Sequence, residues 1–132
     1  MPDHFYISPA NGDDANLGNS EEEAWATFDE FLDITSSTPN AAVVHIGNSG
    51  TLTQSSTWSW TSGNGGKWTY QRPLIIVPWD EGVSGVHYRT INGVAVPEWV
   101  LDQNSADMWD VGHDPDFTTI IGGRIEADAS TG

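Results

Sequence analysis

The chain has 132 residues, of which 19 are acidic and four basic, and its formal net charge is −15. This length predicts a single domain over residues 1–132. A chain this acidic lacks the basic surface that nucleic acids and anionic membranes attract, so neither is expected as a partner. The sequence holds no cysteine, which excludes disulfides and thiolate metal sites.

Residues 1–40 predict a strand, a loop and a helix. Residues 5–8 alternate apolar and polar side chains, which is typical of a short strand, and a loop rich in Asn, Gly and Asp follows. Ser20 and Glu23 have the spacing of a capping box, which predicts the start of a helix. One apolar stripe at helical spacing comprises Ala24, Trp25, Phe28, Phe31 and Leu32. The polar run at 35–40 ends the predicted helix.

After residue 40 the pattern changes to short β runs separated by Gly, Asn and Asp. Runs at 41–46 and 74–77 predict strands, the second of them buried on both faces. Asn92 and Gly93 stand between two further runs and are typical of a tight hairpin turn. The remaining predicted strands are 86–91, 94–96, 117–121 and 124–127, and residues 129–132 form a tail.

A cluster of aromatic residues predicts a second hairpin. Residues 57–60 and 67–70 alternate, and a Gly-rich link joins them. Pairing the two runs places four large rings on one face, which either packs on the domain's own core or projects towards a partner. Because interfaces concentrate their energy in Trp and Tyr, we predict a partner contact here. The predicted partner-binding residues are Trp58, Trp60, Trp68, Tyr70 and Lys67.

The opening segment resembles a recurrent opening of right-handed parallel β-helix proteins of the pectate-lyase-like class. The resemblance lies in the Ser-Pro-Ala-Asn-Gly-Asp-Asp-Ala-Asn-Leu-Gly loop at 8–18, in Ala-Trp-Ala-Thr-Phe at 24–28 and in the strand at 41–46. It implies a mostly β fold, a short parallel β-helix-like solenoid. A capping helix would lie within 1–40, and the coils would fill 41–128 with the aromatic hairpin inserted at 57–70.

The sequence holds none of the common nucleophile, zinc or phosphate-loop motifs. Asp13, Asp14 and Asn16 could offer oxygen ligands to calcium, although loop carboxylates more often cap turns and face water. We therefore expect no catalytic residues and no cofactor, with calcium as the one metal to test.

Two functional hypotheses follow, because the family's opening occurs both in phage tail and capsid-surface proteins and in polysaccharide-cleaving enzymes. The first is a non-enzymatic structural protein, a capsid decoration (cement) protein or a small tail protein of a virus. It would contact capsid or tail proteins and other copies of itself. The second is a carbohydrate-binding or polysaccharide-cleaving module. No secretory signal is recognised at the N-terminus, so the first hypothesis predicts assembly in the host cytoplasm and a place on the virion surface.

Overall fold

The computed structural model describes residues 3–28, 30–31, 41–53, 58–59, 74–103, 109–110 and 118–127. Short strands, one 3-10 turn at Gly82–Ser84 and two helical residues, Glu30 and Phe31, make up the regular structure of this part of the chain. The strands are β1 (Asp3–Ile7), β2 (Ala42–Gly47), β3 (Thr51–Thr53), β4 (Trp58–Ser59), β5 (Leu74–Trp79), β6 (Tyr88–Ile91), β7 (Val94–Pro97), β8 (Trp99–Gln103), β9 (Trp109–Asp110), β10 (Thr118–Ile120) and β11 (Gly123–Ala127).

The strands form four separate sheets. The largest has the order β1-β2-β5-β10 and the next β11-β8-β3, and both are parallel throughout. β4 pairs with β9 in parallel, and β6 pairs with β7 antiparallel. Strands β2, β3 and β4 belong in turn to the three parallel sheets, and β5, β8 and β9 repeat that order. The β6–β7 hairpin is inserted between β5 and β8.

The predicted parallel β-helix-like solenoid is wrong, and with it the resemblance to the opening of that family. In the described residues the sheets are small and separate, one of them is antiparallel, and no closed or solenoid sheet joins them. The strands are two to six residues long and are interrupted by turns.

The predicted capping helix is also wrong, since residues 20–28, which carry its capping box and most of its apolar stripe, form turns and a bridge to β1 rather than a helix. The Glu23 N–H does reach the Ser20 carbonyl and hydroxyl oxygens, both at 3.2 Å, so the capping contact forms as one turn. The chain then extends: the Trp25 N–H donates to Tyr6 O at 3.0 Å, and the Ser8 N–H donates to Trp25 O at 2.7 Å. Trp25 thus bridges to β1 in parallel, which is incompatible with helical hydrogen bonding at this point.

The buried side chains form one contiguous cluster beneath the large sheet. In β2, Val44 and Ile46 are fully buried while His45 between them is partly exposed, as the alternation of a strand requires. Val44 lies opposite Ile76 of β5 in register, so inward side chains stack from strand to strand. The cluster comprises Ile7, Trp25, Phe28, Phe31, Ala42, Val44, Ile46, Leu52, Leu74, Ile76, Trp99 and Leu101.

The predicted strands at 41–46 and 74–77 are confirmed as β2 and β5, and the predicted turn is confirmed between β6 and β7. The predicted burial of 74–77 on both faces is wrong, because Ile75 and Val77 are only partly buried while Leu74 and Ile76 are fully buried. Asn92 has a φ of 51° and Gly93 a φ of 80°, which is the backbone of a tight hairpin turn with two left-handed residues. Glycine at the second position removes the steric cost of that conformation.

Candidate functional site

The β6–β7 hairpin exposes the largest group of apolar side chains in the described residues. Every residue of β6 is exposed, and so are the first two of β7. Val94 is 61% exposed and Val83, on the 3-10 turn before the hairpin, is fully exposed. We call this group the hairpin surface; its members are Val83, Val86, Tyr88, Ile91 and Val94.

The base of the hairpin is held to the body by polar contacts. The Tyr88 hydroxyl donates to Asp80 Oδ1 at 2.8 Å, and the Gly82 N–H donates to the same oxygen at 3.0 Å. The Gly82 N–H and then the Tyr88 hydroxyl hold the pKa of Asp80 below its ordinary value, because both donors favour the charged carboxylate. These hydrogen bonds therefore hold the first residue of β6 to the residues that follow β5.

A buried carboxylate pairs with two of the chain's four basic residues, also at the base of the hairpin. Glu98 follows β7 and its side chain is only 8% exposed. Arg124 Nε lies 3.0 Å from Glu98 Oε1, and Arg89 Nε lies 4.0 Å from Glu98 Oε2. Since a buried charge needs a partner, this cluster fixes the point where β7 leads into β8.

An open cleft of about 410 Å³ lies next to the large sheet. Its walls combine one large aromatic ring with carboxylates, an amide and a hydroxyl. The lining residues are Ser8, Asn11, Glu21, Glu22, Trp79, Asp80, Glu81 and Gly82. An aromatic ring beside several hydrogen-bond acceptors is an arrangement that suits the hydroxyl groups and apolar face of a sugar.

The polar groups at the floor of the cleft bind one another. The Ser8 hydroxyl donates to Glu81 Oε1 at 2.5 Å and accepts the Asn11 N–H at 3.2 Å. Glu81 Oε2 accepts the Ser49 N–H at 2.9 Å. Ser8 is only 2% exposed, so its oxygen is both hydrogen-bonded and shielded from water. A serine nucleophile needs an accessible oxygen beside a free base, and Ser8 offers neither.

Asn48 connects this floor to the hairpin. It is fully buried, its Oδ1 accepts the Glu81 N–H at 3.0 Å, and its Nδ2 donates to His87 O at 3.0 Å. The neighbouring Gly47 lies so close to the Glu81 carboxylate that a methyl group there would collide with Oε2. A side chain at position 47 would therefore push the Glu81 carboxylate away from the β2 backbone.

The predicted calcium ligands are engaged in holding the N-terminal loop. Asp13 Oδ1 accepts the Ala15 N–H at 2.9 Å, and the Asn16 amide donates to Ala24 O at 3.0 Å. Asp14 Oδ1 accepts the N–H groups of Ala26 and Thr27, each at 3.0 Å. Within the described ranges no three His, Cys, Asp or Glu side chains converge as metal ligands would. The three residues serve as turn and loop caps in this structure.

A row of rings lies on the outer face of the large sheet. His45 stacks on Tyr6 with ring centroids 4.6 Å apart and on His4 with centroids 5.2 Å apart. Tyr6 meets the edge of Trp79 at 5.5 Å, which joins this row to the cleft. Burial and then the neighbouring His4 lower the pKa of His45 below its ordinary value.

Most of the predicted aromatic contact lies outside the described residues: Trp60, Lys67, Trp68 and Tyr70. The backbone of Trp58 is described, and it pairs in β4 with Trp109 of β9. The hairpin surface was recognised from the sequence as two strands and a turn, without a functional role. Residues 82–97 contain no Asp or Glu, but residues 34–79 contain none either, so charge did not single out this hairpin in the sequence.

In comparisons with known proteins, no family model and no curated sequence matches this chain. No helix in the residues that the structure describes is long and apolar enough to cross a membrane.

Proposed function

We propose that this chain is a non-enzymatic structural protein that acts through protein–protein contacts. The observation that carries the proposal is the hairpin surface: Ile91 and Val94 flank the turn of the anchored hairpin, Val83 lies on the 3-10 turn before it, and each is about half exposed or more. Apolar residues grouped at the surface of a small protein mark contact sites, because exposing them to water is costly.

The assembly we propose is a virus particle, with the chain as a capsid decoration protein or a small tail protein. Its net charge of −15 supports a role as a subunit that is added to an assembly. Such a charge keeps free copies soluble and apart until they reach a surface that accepts them. The acid-free stretch at 82–97 then offers a contact region without that repulsion.

Co-sedimentation tests this proposal. Virus particles purified from the source are stripped of the protein and incubated with the full chain or with an Ile91→Thr, Val94→Thr double variant. A Leu17→Thr variant is the matched control, since Leu17 is 68% exposed outside the hairpin. We expect the parent and Leu17→Thr to sediment with particles and the double variant to stay in solution. Absence of the parent from particles, or equal binding of all three, would contradict the proposal.

The second candidate function is carbohydrate binding, and the Trp79 cleft favours it. The ring lines a cleft that also presents Glu21, Glu22 and Asp80, and carboxylates accept hydrogen bonds from sugar hydroxyls. Titrating the parent and Trp79→Ala with neutral and acidic polysaccharides tests it. Saturable binding that Trp79→Ala abolishes would favour this function, and no binding to any polysaccharide would dismiss it.

A further inference from the structure

The chain contains three Asn-Gly pairs, at 11–12, 64–65 and 92–93, and the pair at 64–65 lies outside the described residues. An asparagine followed by glycine is open to spontaneous deamidation, because glycine has no side chain to hinder attack of its backbone nitrogen on the asparagine amide. The reaction also requires local opening of the backbone, since the two reacting atoms must approach each other. The fold therefore decides which pair reacts.

The Asn92–Gly93 pair at the tip of the β6–β7 hairpin is open to this approach. Asn92 is exposed, and its side-chain amide has no hydrogen-bond partner in the described residues. In the same part of the chain the Gly93 N–H has no acceptor. No atom lies within 4 Å of the position that a Cβ on Gly93 would occupy. The Gly93 nitrogen can therefore reach the Asn92 side chain without losing a hydrogen bond or displacing a neighbour.

The Asn11–Gly12 pair has the same two residues in a different setting. The Gly12 N–H donates to Ser8 O at 2.9 Å, and the Asn11 N–H donates to the Ser8 hydroxyl at 3.2 Å. A Cβ on Gly12 would collide with the carbonyl oxygen of Trp25, so the loop backbone is packed against this glycine. Attack by the Gly12 nitrogen requires that its hydrogen bond be broken and this packing be opened. The loop therefore protects Asn11.

We propose that Asn92 is a site of spontaneous deamidation in the folded chain and that Asn11 is not. The Gly93 nitrogen forms a bond to Asn92 Cγ, the bond from Cγ to Nδ2 breaks, and ammonia leaves with the proton of the former N–H. Water then opens the cyclic imide. Opening at the side-chain carbonyl gives aspartate with the ordinary backbone, and opening at the main-chain carbonyl gives isoaspartate. In both products an oxygen from water replaces the amide nitrogen, so the reaction needs no oxidant and no enzyme.

Both products change the turn between β6 and β7. Isoaspartate routes the backbone through the side-chain carbons and lengthens the turn by one atom, which disturbs the two-residue geometry that sets Ile91 opposite Val94. Aspartate keeps the register but adds a carboxylate at the tip, within residues 82–97 that otherwise hold none. The modification therefore alters the hairpin surface and leaves the core unchanged.

Peptide mapping by mass spectrometry tests the proposal on the full folded chain, held at mildly alkaline pH below its melting temperature. We expect Asn92 to deamidate about tenfold faster than Asn11 or more, a ratio that needs a barrier difference of only about 1.4 kcal/mol. In denaturant the two pairs should react at similar rates, because the fold no longer protects Asn11. Equal rates in the folded chain, or a difference that persists in denaturant, would overturn the proposal. So would an Asn92 that stays intact in the folded chain while the denatured chain converts it.

Two variants at the same position serve as controls. Asn92→Gly removes the reactive amide and keeps a residue suited to the left-handed backbone of the turn, so isoaspartate from this pair should be absent. Asn92→Asp represents one product and should still fold, because aspartate also tolerates that backbone. Labelling with an isoaspartyl methyltransferase distinguishes isoaspartate from aspartate in the aged parent. Equal labelling of the aged parent and of aged Asn92→Gly would show that Asn92 is not the site.

The consequence for binding rests on the proposed function, and the particle experiment separates the two. A carboxylate at the hairpin tip must lose its water when the hairpin surface is covered, so Asn92→Asp should bind particles about tenfold more weakly than the parent or worse. If Asn92 deamidates but Asn92→Asp sediments as the parent does, the modification site stands and its effect on binding fails. If the parent itself never binds particles, the proposed function fails, while the site, measured on the free chain, stands.

Discussion

The N-terminal loop and the β6–β7 hairpin use their side chains in opposite ways. In the loop, polar Ser8 is 2% exposed and its hydroxyl is bound to Glu81, while Trp25 is 2% exposed in the core. In the hairpin, apolar Ile91 and Val94 are exposed to solvent. Side-chain polarity alone therefore does not decide burial, because a polar group is readily buried when its hydrogen bonds are met inside.

The two regions also differ in how they are attached. Residues 8–27 are bound to the sheet and to each other along their length, with Trp25 Nε1 donating to Asn16 O at 2.8 Å. The hairpin is bound at its base and free along its strands. We expect changes in the loop to alter stability and changes in the hairpin to alter association, and the following predictions test that division.

The largest effect is expected from Trp25→Ala. Its ring stacks on Phe5 with centroids 5.7 Å apart and is almost fully buried. Removing it leaves a cavity and should cost about 3–5 kcal/mol of unfolding free energy, measured by denaturant titration. Leu17→Ala, at a position 68% exposed in the same loop, is the control and should change stability by less than about 0.5 kcal/mol. Equal stability of the two variants would show that the loop is not anchored by Trp25.

A smaller loss of unfolding free energy is expected from Glu81→Ala. The change leaves the Ser49 N–H and the Ser8 hydroxyl without their acceptor, which should cost about 1–3 kcal/mol. Glu22→Ala removes the same charge from an exposed position and should be neutral or slightly stabilising, because it lowers the net repulsion. If both variants melt at the same temperature, the network beneath the cleft contributes nothing to stability.

The pH dependence of stability tests the outer face of the large sheet. The pKa of His45 is lowered in the folded chain from its ordinary value of 6.5, so the unfolded chain takes up the proton first. The stability due to the neutral ring is present in full above pH 6.5 and is lost as the pH falls through that value towards the folded-state pKa. Melting curves above and below this value should show the loss, and His45→Gln should reduce it. An unchanged slope in His45→Gln would assign the loss to other groups.

The smallest effect on folding is expected in the hairpin. Ile91→Thr with Val94→Thr removes exposed apolar surface only, so the monomer's unfolding free energy should change by less than about 0.5 kcal/mol. A loss comparable to that of Glu81→Ala would mean that the hairpin packs on the body.

Local signals predicted the strands but not the way they assemble. The runs that became β2 and β5 are rich in Val, Ile and Leu, and the Asn92–Gly93 turn follows from the backbone that these two residues tolerate. The wrong prediction of a solenoid came from extending the likeness of an opening segment to the whole chain. Sheet membership depends on contacts between distant residues, which short patterns do not encode.

Some parts of the candidate site were predictable from the sequence and others were not. The two strands and the turn of the hairpin were predicted from the sequence, but the exposure of their apolar side chains was not. The cleft was not predictable, because it brings Ser8, Glu22 and Glu81 together from distant positions in the chain. The role of Asp14 was likewise not predictable, because its carboxylate accepts hydrogen bonds from backbone N–H groups more than ten positions away in the chain.

By itself the sequence determined which side chains are buried in the core. The stripe with Trp25, Phe28 and Phe31 is in the core as its hydrophobicity demands, although the backbone at Trp25 and Phe28 is not the predicted helix. Only the tertiary structure decided that backbone, because Tyr6 and Ser8 of the N-terminal segment satisfy the N–H and C=O of Trp25. A buried backbone group must find a hydrogen bond, and a neighbouring strand meets that need as well as a helical turn does.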